Sequence, residues 1–455
     1  MIRPFLTALA ATAALSSPAL ATHDPAALRE QALTDDVAWQ IVEDLTTRIG
    51  PRQAGTEREA EARAWAAARL KAMGFANVRI EPFAMPTWVR GEEHAEIVAP
   101  YAQKMIVTAL GNSASTGDAG LEGEIVYFPT FADLVAAAPA SLSGKIAFVD
   151  HAMHRTQDGS SYGAFGTARF VGPDLAAKKG AAAIVIRSIG TDNNRMPHTG
   201  NTGFSEGVTP IPAGALSVPD AENLARMVKL GKPVRMKLTL TPRNLGEQQS
   251  GNVIADLPGS DPDAGIILIA CHLDSWDLGT GAIDDASGCG IITAAANLVK
   301  QHGQPRRTIR LLWAGAEEVG IWGGKAYAAA HGSDNHVLAM ESDFGADRVW
   351  RVDFKLPEAA KPVSDAIVKA LAPLGIGRGM PPAGGGADVG ATIAAQNLAV
   401  VDLQQDGTHY FDTHHTANDT LDRIDPVMLR QNVAAWAATL AILANSEMDI
   451  GPVTP

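Results

Sequence analysis

The run IILIACHLDSWDLGTGAIDDASG, residues 266–288, opens on five apolar residues, passes through a glycine-bearing loop with one histidine and four aspartates, and ends where a helix would begin. An unbroken apolar run of this length reads as a strand buried on both faces, the kind that parallel α/β sheets use. The pattern recurs at 308–313, 337–340 and 399–403 with helical stretches between, so an α/β layered sheet is expected from Asn252 onward. A last helix is marked by Asp425 as cap, Pro426 at the first position and apolar residues through Leu443.

Upstream, residues 35–75 read as two helical pieces separated by Gly50 and Pro51. Thr56 and Glu59 are spaced as a capping box, and Gly74 stands at the stop. A strand over 78–83 follows. Between 95 and 245 the pattern changes to short strands at 124–128, 145–150, 181–187 and 234–240, with few helices and many Gly, Pro and Ser turns. The His and Asp residues there lack metal-ligand spacing, and no chemistry is assigned to them. Because the helix before residue 90 needs a sheet to pack on, 95–245 is read as a β-rich insertion. It interrupts one α/β domain made of 22–94 and 246–455.

The chain's 455 residues are more than one ordinary core accommodates, and 46% hydrophobic with 19% charged residues is a folded composition. A formal net charge of −13 leaves no basic face for a phosphate backbone, so nucleic acid is not expected as a partner. Residues 1–21 read as an export signal. Arg3 is the positive end, 5–15 the apolar stretch, and Ala19, Leu20 and Ala21 the cleavage site. The mature chain would begin near Thr22 and be periplasmic or secreted. No later stretch is read as membrane-spanning, so no membrane partner is expected after processing. Cys271 and Cys289, the only two cysteines, are expected as buried thiols, with pairing as the alternative.

The chemistry gathers at strand ends, where open α/β sheets present their reactive groups. After the first strand come His272, Asp274, Asp284 and Asp285, with Asp284 placed 284 − 272 = 12 residues past the histidine. Two adjacent acids at a helix head could instead complement its dipole. AGAEEVG (314–320) follows the next strand with Glu317 and Glu318, which point different ways on a non-helical stretch. ESDFGAD (341–347) offers Glu341 and Asp343, and DTHHTANDT (412–420) offers His414, His415 and Asp419. Four strand ends with oxygen or nitrogen donors outnumber what one ion requires. Taking His272, Asp284, Glu318, Asp343 and His415 as ligands, with Asp284 bridging, three carboxylates leave one positive charge on two divalent ions. A bridging hydroxide would cancel that charge. Asp274 is then expected to hold the far nitrogen of His272. His414, adjacent to His415, is an alternative ligand.

The motifs HLDSWDLGTGAIDDASG, AEEVG, ESD and HHTANDT resemble those of the di-zinc aminopeptidase family of metallopeptidase clan MH. IGPRQAG (49–55), WVRGEE (88–93), PHTG (197–200) and IPAGALSVPDAENLARM (211–227) extend the likeness over nearly the whole mature chain. The resemblance implies a mixed-sheet three-layer peptidase domain, and it makes the insertion a protease-associated domain. It places the metal ligands on the same five residues and the general base on Glu317, with a cis peptide bond between Asp284 and Asp285. Tyr410 and Asp388 fall at substrate-pocket positions, and His198 is a candidate to reach over the pocket. The implied activity is zinc-dependent hydrolysis of short unblocked peptides, as an aminopeptidase or dipeptidase, with cobalt or manganese also suited to these donors. A homodimer is implied by resemblance alone. The rival readings are a di-zinc amidohydrolase for acylated or cyclised amino acids and a catalytically silent receptor-like binding protein.

Overall fold

The computed structural model describes residues 23–453, and the expected export signal lies outside them. Helices α1 (Pro25–Ala32), α2 (Val37–Asp44) and α3 (Glu57–Ala72) come first. Thr56 caps α3 by accepting from the Glu59 amide at 3.4 Å. The Glu59 carboxylate is drawn inward to Arg63 (2.8 Å) and the Ser250 hydroxyl (3.0 Å). The chain lays down β1 (Ala76–Val89) and then leaves this sheet.

A second sheet follows from β2 (Glu93–Ala99), β3 (Gln103–Met105), β4 (Val107–Ala109), β5 (Leu121–Phe128), β6 (Ile146–Val149), β7 (Ala183–Arg187), β8 (Ala213–Leu216) and β9 (Arg235–Leu240). Its order is β3-β2-β9-β5-β6-β7-β8-β4, with β5 to β8 parallel. Four helices belong to it, α4 (Phe131–Ala136), α5 (Ser161–Phe170), α6 (Gly172–Lys178) and α7 (Val218–Lys229). The segment is therefore richer in helix than its sequence suggests. Glycines inside α5 and α6, and their shortness, hide the helical period.

The chain returns as β10 (Arg243–Leu257), antiparallel to β1, with Val89 opposite Arg243. Next come β11 (Ile266–His272), α8 (Ser287–Gln301), β12 (Thr308–Ala314), α9 (Trp322–Ala330), β13 (His336–Glu341) and β14 (Val349–Lys355). They are followed by α10 (Lys361–Leu371), β15 (Gly377–Arg378), α11 (Ala387–Gln396), β16 (Ala399–Gln405) and α12 (Pro426–Asn445). The first sheet runs β1-β10-β12-β11-β13-β16-β14-β15. β12, β11, β13 and β16 are parallel, so their C-terminal ends share one edge. β14, antiparallel to β16, has no counterpart in the sequence reading, because Arg351 and Asp353 interrupt its apolar residues.

Alternation along β11 feeds two cores. Ile267, Ile269 and Cys271 pack with residues of α8 and α12, whereas Leu268 and Ala270 pack with Tyr327, Val389 and Ile393 of α9 and α11. This is a mixed α/β fold with helices on both faces of the sheet. Asp425 caps α12 as expected, accepting from Val427 and Met428. Contrary to expectation, α12 is long and apolar enough to cross a membrane by length and composition, yet most of it is buried in this core. A second correction concerns the cysteines, which are paired rather than free. The loop folds α8 back onto the end of β11, so the Cα atoms of Cys271 and Cys289 stand 5.1 Å apart, within disulfide range.

Candidate functional site

Each parallel strand ends by delivering side chains to the shared edge. His272 is the last residue of β11, and its Nε2 lies 2.9 Å from Asp284 Oδ1 and 3.3 Å from Asp343 Oδ1. His415 Nε2 lies 3.2 Å from Asp284 Oδ2 and 2.9 Å from Glu318 Oε2. Asp284 therefore stands between two histidine–carboxylate pairs, one oxygen toward each. All five expected ligands converge. Donor atoms of His272, Asp284 and Glu318 fall within 4.8 Å of one another, as do those of His272, Asp285 and Asp343. His414 stacks on His415 at 3.5 Å between ring centroids and approaches Asp284 only at 3.5 Å. His415 touches two carboxylates and His414 one, so His415 makes the fuller set of contacts.

The loop that presents Asp284 is held from all sides. Arg52, fully buried, donates to the carbonyls of Leu273, Thr280 and Gly281 at 2.5, 2.6 and 2.8 Å. Asp419 accepts from the amides of Ala282 and Ile283 at 2.8 and 2.7 Å. The Asp284–Asp285 peptide bond is cis. The doubled aspartate divides its roles, for Asp285 turns away to accept from the amides of His272 (3.2 Å) and Gly288 (3.0 Å). It serves the strand end and the first turn of α8, while Asp284 faces the cluster.

Asp274 does something other than expected. Its carboxylate is 3.7 Å from His272 Nδ1, and its backbone carbonyl, at 3.0 Å, takes that nitrogen instead. The carboxylate accepts the Glu317 amide at 3.0 Å and so fixes the start of the AEEVG turn. Glu341 likewise turns from the cluster to the N-terminus of α11, accepting from Ala387, Asp388 and Val389.

Crowded acid sets the electrostatics. Burial first, then neighbouring carboxylates, push Glu317 and Glu318 well above the usual range. Burial would lower His272, but Asp343, Asp274 and Asp284 hold it well above its ordinary value. Burial raises Asp284, and its contacts with His272 and His415 overcome this and hold it low. Asp284 Oδ2 and Glu318 Oε1 are buried without a hydrogen bond. Such a set of carboxylates and imidazoles fits a cation with nitrogen and oxygen preferences, zinc above all.

A cleft of about 370 Å³ opens over the cluster, lined by Glu317, Glu318, Asp343, Tyr410, His414 and His415 from the first sheet's loops. Its other wall comes from the second sheet's segment as Tyr162, Arg169, Phe170 and Asn201. Sequence reasoning missed that wall, because single residues on α5 carry no ligand spacing. Arg169 is 2% exposed; it donates to the Tyr162 hydroxyl and the Thr199 carbonyl, its Nη1 also lies 3.5 Å from His415 Nδ1, and its Nε has no partner among the described residues. Tyr410 lines the cleft as expected. Asp388 does not: it is fully buried, with both oxygens unpartnered among the described residues. His198 is buried too, under the His414–His415 loop rather than over the pocket.

A model of peptidase family M28 matches residues 252–440. Carboxypeptidase Q of Bos taurus is 33% identical over 406 residues, covering 89% of this chain and 84% of that protein. Among solved structures, a peptidase M28 precursor from Shewanella amazonensis SB2B is 45% identical with a TM-score of 0.92, over 95% of this chain and 98% of that one. BSAP, a zinc aminopeptidase from Bacillus subtilis, shares the fold at 18% identity and a TM-score of 0.65, covering 91% of this chain and 97% of its own.

Proposed function

Because this chain belongs to peptidase family M28, alongside carboxypeptidase Q, and is a metallopeptidase, we propose that it binds two zinc ions and hydrolyses short unblocked peptides, dipeptides foremost. The observation that carries this reading is Asp284, set with one oxygen toward His272 and the other toward His415. His272 and Asp343 would hold one ion, Glu318 and His415 the other, and Asp284 both. Two such ions supply a nucleophile at neutral pH and draw charge from the scissile carbonyl.

Glu317, half-buried in the cleft wall with its backbone anchored on Asp274, takes the proton of the attacking water and passes it to the leaving amine. Tyr410 faces the same space and packs against the substrate. Arg169, on the wall opposite the ligand cluster, suits a free carboxylate, which supports a substrate with an unblocked C-terminus. A cleft of about 370 Å³ lies at the small end of ligand pockets, which run roughly 300–1,000 Å³.

The segment between β1 and β10 is proposed to be a protease-associated domain, and residues 1–21 an export signal. N-terminal sequencing of the processed protein tests the signal. For activity, the zinc-loaded enzyme is assayed on a dipeptide, its N-acetyl form and its C-terminal amide. The free dipeptide should be cut fastest; preference for the acetylated form would favour an amidohydrolase instead. Glu317→Gln should keep its metal and lose about 10²–10⁴-fold in kcat, the range for a removed general base. Unimpaired turnover in that variant would remove Glu317 from the role.

A further inference from the structure

The connection between β7 and β8 is pressed against the loop that carries His415, and its contacts are polar and specific. His198 Nδ1 lies 2.7 Å from the His414 carbonyl oxygen. The Thr199 amide donates to the His415 carbonyl at 3.0 Å, and His415 Nδ1 lies 3.3 Å from the Thr199 carbonyl oxygen. His198 is itself anchored, with Nε2 2.7 Å from Asp192 Oδ1; the side chains are 0% and 4% exposed. Both ring nitrogens meet acceptors, so each bond forms only with that nitrogen as donor.

Thr199 is fixed from behind, where its hydroxyl donates to the Ala109 carbonyl at 2.8 Å and accepts from Arg90 at 3.1 Å. Two close approaches require glycine. A Cβ at Gly190 would stand 2.2 Å from His198 Nε2, and one at Gly200 would stand 2.4 Å from Arg169 Cζ. The held loop is in an uncommon conformation, with His415 at φ +61°. Such a backbone persists in a non-glycine residue only where its surroundings over-determine it.

We propose that Asp192 and His198 are positioning residues for the metal centre. They fix the 414–415 backbone so that His415 presents Nε2 to Asp284 and Glu318, while Thr199 takes its far nitrogen. The proposal rests on the two-ion reading of the site, and it makes the second sheet's segment part of the ligand apparatus. Removing an outer partner of a metal ligand typically weakens metal binding by about 10–100-fold. His198→Ala should therefore weaken one of the two ions by that factor and leave the other near wild type.

The measurement is metal content after dialysis against a chelator of fixed concentration, together with the visible spectrum of the cobalt-loaded protein, which reports coordination rather than turnover. His198→Asn, which keeps a donor for the His414 carbonyl, should recover most of the lost affinity. Asp192→Asn should fold and show a smaller loss in the same direction, and it decides the matter if His198→Ala does not fold. Two ions held at wild-type affinity in both His198→Ala and Asp192→Asn would overturn the positioning role and leave the function standing. A wild-type protein that binds no metal would overturn both.

Discussion

Among the described residues, Arg169 is the only guanidinium in the cleft wall, buried and without an anionic hydrogen-bond partner. If it receives the substrate carboxylate, a charge-assisted hydrogen bond worth about 1.5–3 kcal/mol is at stake. Arg169→Gln should then raise KM for a dipeptide by about 10–100-fold and barely change it for an aminoacyl anilide, which has no carboxylate. Equal changes on both substrates would sink this role. Glu59 makes a second test. Burial pushes it from 4.5 up to about 7, with Arg63 pulling the other way. A folded-state value above the unfolded one gives stability that is complete below about pH 4.5 and is lost as pH rises through about 7, some ~3 kcal/mol in all. Denaturation curves of wild type and Glu59→Gln from pH 5 to 8 should therefore shift in favour of the variant as pH rises, whereas parallel curves would refute the shift. At this scale the expected ligands His272, Glu318 and Asp343 could be singled out because they stand at or within a few residues of a strand end, and Asp284 and His415 because each belongs to a doubled pair of donor residues. Arg169 and Tyr162 were not, since nothing along the chain links them to His415, and Asp388 was misplaced because its motif gives no sign of which way a helix's first turn faces.

The elements themselves were legible where they are buried on both faces, as β11, β12, β13 and β16 are, and illegible where charge breaks the period, as in β14. Helix α8 shows what tight packing demands. A Cβ at Gly288 would stand 1.9 Å from the Ser342 carbonyl oxygen and 2.4 Å from both Asp285 carboxylate oxygens. Gly288→Ala must displace the helix from the end of β13, at a cost of about 1–3 kcal/mol or more. Thermal unfolding should register this with a parallel fall in metal content. A variant of wild-type stability would mean that the helix sits farther from that strand.

For the whole molecule, a ligand that binds only the folded state stabilises it by mass action, about 2.7 kcal/mol at a hundredfold excess over Kd. Chelation should thus lower the melting temperature, and zinc should restore it in a concentration-dependent way. A melting temperature indifferent to both would argue against a resident ion. That the chain leaves the first sheet and later rejoins it was foreseeable from the change of pattern near residue 95. The docking of the excursion back onto the His415 loop was not, because it depends on PHTG meeting HHT across the fold.

The sulfur bridge between Cys271 and Cys289, 18 residues apart in sequence, encloses His272, Asp274, Asp284 and Asp285 in a covalent macrocycle. Melting erases the packing but not that ring, so an oxidised denatured chain withholds both sulfurs from zinc, whereas a reduced one offers two thiolates that compete for it. Mass action on the unfolded side is therefore weaker with the bridge intact, and zinc raises the melting temperature more in the oxidised protein than in the reduced one.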